Sequence, residues 1–210
     1  NFHDIPFWPD QVPPETVAAL AVVVAGLRRR HPDVRLGVNV LRNDAAAALA
    51  VAAATGAGFV RVNVHTGAMV TDQGTLLGQA HRTLRKRREL GLEQVGILAD
   101  IRVKHAAPLA VRDLAAEARD LRLRGLADAL VISGEATGAA ADPQQLATLR
   151  TAVPDCPLLL GSGVTPQNLP AYAGLADGFI VGTSLKTQGV VDPDRVRALL
   201  AALPEGKEPA

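Results

Sequence analysis

Residues 59–65 (Phe-Val-Arg-Val-Asn-Val-His) alternate apolar and polar side chains, the pattern of a strand whose two faces meet different surroundings. Val60, Val62 and Val64 suit a covering layer of helices. Arg61, Asn63 and His65 share the other face and require partners there, because an unpaired polar group is costly to bury. The same logic carries along the chain. Four prolines in the first ~14 residues require a loop, after which Pro14 opens a helix running to Arg30. Strands are expected over residues 35–41, 59–65, 94–103, 129–133, 157–160 and 178–181. Helices are expected from the Asn43–Asp44 cap to Gly56, then over residues 76–90, 108–124 and 143–152, briefly after Pro166, and from an Asp192 or Asp194 cap to about Leu203. Residues 66–75 and 134–141 read as loops.

A strand, a loop and a helix recur in units of roughly 25–35 residues, the signature of a parallel α/β sheet. Polar residues inside several strands favour a closed (β/α)8 barrel, the TIM barrel, with a polar mouth. A doubly wound open sheet competes, but the chain has no Gly-x-Gly-x-x-Gly turn after an early strand. Six strands are legible where a barrel has eight. The chain is therefore expected to begin late, with the first βα unit and most of the second strand missing, as one incomplete barrel domain over residues 1–210.

In such a barrel the chemistry gathers at the strand C-termini. Asn1, His3 and Asp4 fall there, as do Asn39, Arg42, Asn43 and Asp44, then Asn63, His65 and Thr66, with Asp72 and Gln73 in the following loop. Asp100, Arg102 and Lys104 share one parity, followed by His105; Ser133, Glu135 and Thr137 close the next strand. Asp100, Lys104 and His65 are the candidate acid–base groups. A buried lysine at Lys104 could also form an imine, or simply partner a phosphate. Asn39, Arg42, Asn43, Asp44, Asn63, Thr66, Asp72 and Gln73 are candidate substrate ligands. Several have plainer readings: Asn43–Asp44 as a helix cap, Arg61 as the partner of a carboxylate inside the barrel. Gly161-Ser162-Gly163 and Gly182-Thr183-Ser184 each end an apolar strand. Glycine lets backbone approach a ligand, and exposed N–H groups beside hydroxyls cradle an oxyanion. Loops after strands seven and eight are the common phosphate site of this fold.

Composition narrows the function. A net charge of +1 gives no bulk attraction to nucleic acid or anionic membrane. The arginine-rich runs at residues 28–30 and 82–88 read as solvated helix ends near the negative pole of the dipole, with no interleaved aromatics for base stacking. Phe2, Phe7 and Trp8 gather in the first loop and suit either rim packing or a pocket lid. No apolar run reaches membrane-spanning length. A single cysteine, Cys156, allows no internal disulfide, fits a reducing cytoplasm and reads as a small buried residue. Asp72, Asp100 and His65 lack tight metal-ligand spacing, so no metal is assigned, and the cofactor is left unknown. Homo-oligomerisation is an expectation from the fold alone.

The segments NFHDIPF, GVNVLRNDAAAALAVA, FVRVNVHTGAMVTDQG, ADIRVKHAAPL, GSGVTPQN and ADGFIVGTSLK span nearly the whole chain and resemble the BtpA/SgcQ family. The resemblance implies a phosphate-binding TIM barrel with an N-terminal βα unit and second strand ahead of this chain. It implies that Gly161, Ser162, Gly163, Gly182, Thr183 and Ser184 hold phosphate. The function it implies is divided. Some members resemble sugar-metabolism enzymes, which suits aldolase- or isomerase-type chemistry on a sugar phosphate. One is tied to photosystem I accumulation, which suits a non-catalytic assembly factor. Binding of FMN through the same loops is a third reading.

Overall fold

A computed structural model describes residues 1, 3–134 and 141–203. Its centre is a six-stranded parallel sheet: β1 (Gly37–Asn39), β2 (Phe59–Val62), β5 (Gly96–Ile101), β7 (Ala129–Ile132), β8 (Leu158–Leu160) and β9 (Gly178–Phe179). They stand side by side in chain order. A doubly wound sheet reverses direction midway; here each strand is added on the same side, so the sheet curls into a partial barrel.

The helices are α1 (Pro14–Arg30), α2 (Ala45–Thr55), α3 (Ala80–Glu89), α4 (Leu114–Arg119), α5 (Pro143–Ala152), α6 (Leu169–Tyr172) and α7 (Pro193–Ala201). Helix α4 continues as a π-helical turn, Asp120–Arg124. No helix among the described residues is long and apolar enough to cross a membrane. The apolar core lies between sheet and helices in two main clusters. Val60, Val62 and Ile97 pack with Leu49 and Val51 of α2 in one. Leu130, Leu158 and Leu160 pack with Leu146 and Leu149 of α5 in the other. Val60 and Val62 thus face the helices, as their alternation requires, while Val64, beyond the regular strand, packs with Met69, Leu76 and Val103 instead. Buried Cys156 belongs to the second cluster, and burial pushes its thiol pKa up.

The regular strands are shorter than the hydrophobic pattern suggests. The segment expected as a loop over residues 66–75 is instead a hairpin, β3 (Ala68–Thr71) with β4 (Gly74–Leu77). Strand β6 (Ala106–Pro108) joins it antiparallel, making a separate three-stranded sheet. Helix α3 therefore begins at Ala80, with Leu76 and Leu77 inside β4. The helix expected from Pro108 begins at Leu114, where Asp113 accepts from the Ala116 N–H at 2.8 Å. Asp44 caps α2 and Asp192 caps α7. A short antiparallel pair, β10 (Lys186–Thr187) with β11 (Val190–Val191), precedes α7.

At the strand N-terminal end, arginines from the helix C-termini hold the connecting loops. Arg28 donates to the carbonyls of Pro32 and Val34, and Arg122 to that of Ala127. Arg87 donates to Val95 O and to Asp128, whose Oδ2 also accepts the Ile97 N–H at 2.7 Å. Arg150 and Asp177 repeat this around Leu158 N at the β8–β9 pair. Arg28 and Arg87, expected as solvated charges, are thus loop clamps, because the carbonyls leaving each helix need donors. Replacing Asp128 with alanine removes the carboxylate that Arg87 and the Ile97 N–H share, leaving Arg87 only the Val95 carbonyl. The Asp128→Ala variant should lose about 1–2 kcal/mol in urea unfolding, with an unchanged m-value.

Candidate functional site

Inward-facing residues of the sheet build a polar layer. Arg61 binds Asp100 through two bonds, Nε to Oδ1 at 2.7 Å and Nη2 to Oδ2 at 3.0 Å. Asn63 Nδ2 donates to the same Oδ2 at 2.8 Å. Asn39 Nδ2 donates to Asn63 Oδ1 and to Arg61 O, each at 3.0 Å. The Asp100 side chain is 1% exposed and both its oxygens are taken. Its partner is thus Arg61 rather than Lys104.

The strand period breaks directly above this layer. Strand β5 ends at Ile101, and Arg102 and His105 both adopt left-handed backbone with φ of 54°. Arg102 consequently turns to Glu117 on α4, with Nη2 at 3.1 Å, instead of following Asp100 into the barrel. Lys104 lies between the two left-handed residues. Arg42, 6% exposed, donates from Nη2 to the Lys104 carbonyl at 2.6 Å. Burial lowers the Lys104 pKa; Arg61 and Arg42 lower it further, against the pull of Asp100.

One cavity of about 450 Å³ is lined by Lys104 and both glycine loops: Gly161, Ser162 and Gly163 from the end of β8, Gly182, Thr183 and Ser184 from beyond β9. The sequence-derived anion loops and one sequence-derived acid–base residue therefore share a wall. A Cβ on Gly161 would meet Ser133 Oγ at 2.5 Å and Val131 Cγ1 at 2.7 Å, so backbone alone fits there. Gly182 has open space at its Cβ position. The Ser184 hydroxyl is engaged, donating to Val164 O at 2.6 Å. Arg195 of α7 completes the wall; its Nε donates to Thr187 Oγ1 at 3.0 Å. Sequence reasoning missed Arg195, which nothing but a charge in a capped helix marks out. Ser133, placed by the sequence at the end of its strand but given no role, has a buried Oγ with no partner among the described residues.

Other candidates are engaged elsewhere. Asn43 bonds the Val64 backbone through both amide atoms, at 2.8 and 2.9 Å. Asp44 accepts from Ala47 N and Val12 N. Asn1 bonds the Leu41 backbone in the same two-point way as Asn43 does Val64. Thr66 lies in a second cavity, of about 310 Å³, under β3 and β6. Asp72 and Gln73 bond each other at the tip of the β3–β4 hairpin. Trp8 is 55% exposed, and its carbonyl accepts from Arg42 N. Phe2, Glu135 and Thr137 lie outside the described residues. Asp72, Asp100 and His65 do not converge; no cluster of three or more potential metal-binding side chains occurs among the described residues.

His65 leaves the polar layer altogether. It is 1% exposed, and its Nε2 lies 2.8 Å from the carbonyl of Gly125, at the end of the π-helical turn. A carbonyl only accepts, so Nε2 carries the proton and Nδ1 the lone pair. Nδ1 has no partner among the described residues.

Residues 1–205 match the sequence profile of the BtpA family. The chain belongs to the BtpA family. It is 44% identical over 210 residues to the photosystem I biogenesis protein BtpA of Synechocystis, covering 98% of this chain and 72% of that one. An uncharacterised protein of Thermococcus kodakarensis is 45% identical, over 91% of this chain and 71% of its own. Among solved structures, 3-hexulose-6-phosphate synthase superposes with a TM-score of 0.61 at 18% identity, over 93% of this chain and 86% of that one. A phosphoribosyl anthranilate isomerase from Thermococcus kodakaraensis gives 0.59 at 17%, over 90% and 82%. At these identities the likeness fixes the fold of this BtpA-family chain, a TIM barrel, and nothing finer.

Burial lowers the His65 pKa from its ordinary value of 6.5, outweighing the opposing bond to Gly125. The unfolded chain then takes up a proton at a higher pH than the native one. The stability of keeping this ring neutral is full above 6.5 and is lost as pH falls towards the lowered native value. Unfolding free energies measured from pH 7.5 to 5 should fall, and His65→Gln should remove part of that slope.

Proposed function

We propose that this chain binds a small phosphorylated metabolite, a sugar phosphate, and performs proton chemistry of the aldolase or isomerase kind on it. One observation carries the reading: Lys104, Arg195 and two glycine loops from the last two strands of the sheet line a single cavity. A phosphate there meets backbone, the Thr183 hydroxyl and the Arg195 guanidinium, the elements of an oxyanion site, with Lys104 beside it. The names of the solved relatives, 3-hexulose-6-phosphate synthase and phosphoribosyl anthranilate isomerase, agree with a phosphorylated ligand.

Within this reading Lys104 is the acid–base group beside the ligand. Asp100 acts through Arg61 and Asn63, whose orientation it sets. Asn39 extends that support to β1. His65 holds the end of α4 rather than the substrate.

A second reading, a non-catalytic assembly factor, draws on the name of the Synechocystis relative and on one surface. Val70 (44% exposed), Leu77 (59%) and Leu109 (62%) leave the small sheet with exposed apolar side chains that a partner protein could cover.

A thermal-shift screen against inorganic phosphate, sugar phosphates, nucleotides and FMN separates the two. A ligand at ~100 times its dissociation constant adds about 2.7 kcal/mol. A sugar phosphate should raise Tm, and Gly182→Asp, which places a carboxylate in open space on the cavity wall, should abolish the rise without lowering Tm in its absence. No shift with any phosphorylated compound would overturn the phosphate site and favour the partner-protein role.

A further inference from the structure

We propose that Lys104 is a nucleophile, forming an imine with the carbonyl carbon of a phosphorylated aldehyde or ketone held by the glycine loops. This rests on the phosphate-site reading above and adds a reaction class to it.

The placement of Lys104 is the first support. Lys104 lines the cavity of the two glycine loops, and its Nζ makes no hydrogen bond or ion pair among the described residues. Its backbone is fixed from both sides, by left-handed residues at 102 and 105 and by the buried Arg42 guanidinium on its carbonyl. Left-handed non-glycine residues gather where a side chain must be aimed. An amine on a backbone so fixed, with no partner among the described residues and beside two glycine loops, is arranged for the ligand rather than for the fold.

The electrostatics are the second. Asp100, the carboxylate that favours the ammonium form, already accepts from Arg61 and Asn63. The Arg61 and Arg42 guanidinium groups and burial act against the ammonium. A neutral amine is the nucleophilic form.

The other candidates lack this combination. Asp100 has no free oxygen in the layer, and the His65 ring is bound to Gly125 away from it.

The step balances as follows. The Nζ lone pair attacks the carbonyl carbon, giving a carbinolamine. The former carbonyl oxygen departs as water, with one proton from the lysine nitrogen and one from solution, leaving an iminium. That cation takes up the electron pair of a C–H or C–C bond on the adjacent carbon, giving an enamine; the C–H proton, or the hydroxyl proton of a fragment leaving as a carbonyl, passes to solvent water, and reprotonation of the enamine from water returns the iminium. Hydrolysis restores the amine.

Borohydride trapping tests this. The whole chain is incubated with dihydroxyacetone phosphate, glyceraldehyde 3-phosphate or ribulose 5-phosphate, reduced, and mapped by peptide mass. Lys86 and Lys186 of the same chain serve as internal controls for indiscriminate amine labelling. At least one of the three should label Lys104 in roughly tenfold or greater excess over the controls, because reactivity follows the neutral amine and its proximity to the bound carbonyl. Excess inorganic phosphate should suppress that excess. No labelling of Lys104 above the controls with any of the three, or labelling that phosphate does not suppress, overturns the proposal. Glycerol 3-phosphate, which has no carbonyl, reports on the cradle separately by thermal shift. If it binds while Lys104 stays unlabelled, the imine fails and the phosphate site stands. If it does not bind and Lys104 is unlabelled, both fail.

Discussion

The ion pair between Arg61 and Asp100 organises the upper part of this barrel. Strands β2 and β5 run in parallel with Arg61 opposite Leu98, so the arginine reaches forward along its neighbour to the carboxylate. A lone charge at that depth would carry a desolvation penalty of several kcal/mol; two bonds between the partners and a third from Asn63 offset it. Asn39 carries the network on to β1, so three adjacent strands are tied across their inner face. The layer also determines what the site above it can do. Asp100 is committed to its donors, and the Arg61 charge bears directly on the amine of Lys104.

The two ends of the sheet divide stability from chemistry. At the strand N-termini, arginines close each helix onto the next strand, and Asp128 and Asp177 repeat one arrangement around Ile97 and Leu158. Those groups are saturated by one another. At the opposite end the polar atoms are less completely matched: Ser133 Oγ is buried without a partner among the described residues, and Lys104 Nζ makes no bond there. Unsatisfied groups are costly in a fold and useful in a site, and they collect where TIM barrels bind ligands.

Much of this was legible in the sequence. The Arg61 pairing, the Asp44 cap and the shared position of the two glycine loops each follow from a local rule: a charge inside a barrel needs a partner, an acid before a helical run caps it, glycine ends a strand where backbone meets a ligand. What was missed depends on where local regularity stops. Strand period places His65 with Asn63 and Lys104 with Asp100, but the regular strands end at Val62 and Ile101. Beyond those points the chain turns, and parity no longer reports direction. The β3–β4 hairpin was hidden because the residues of β4 also suit the opening of a helix, and because β3 and β4 gain their third strand from β6, some thirty residues away. Arg195 reaches the cavity only through the packing of α7 against it, which no window of sequence records.

The charge balance of the mouth bears on what the barrel is for. Arg42, Arg61 and Lys104 act on one another with Asp100 as the carboxylate among them, and Arg42, at 6% exposure, has no salt bridge among the described residues. Asp72 offsets part of that charge from the hairpin tip without contacting it. Such a concentration of like charge lowers stability through self-repulsion, more so where burial limits solvent screening. A surface that only held partner proteins would gain nothing from it, because its contacts would lie on the outside of the small sheet. On the phosphate reading proposed above, an anion held beside Lys104 would lie next to this cluster and offset part of its charge. That coupling between an electrostatically strained mouth and an anionic ligand is the strongest physical ground for reading this BtpA-family barrel as a binder of small phosphorylated molecules.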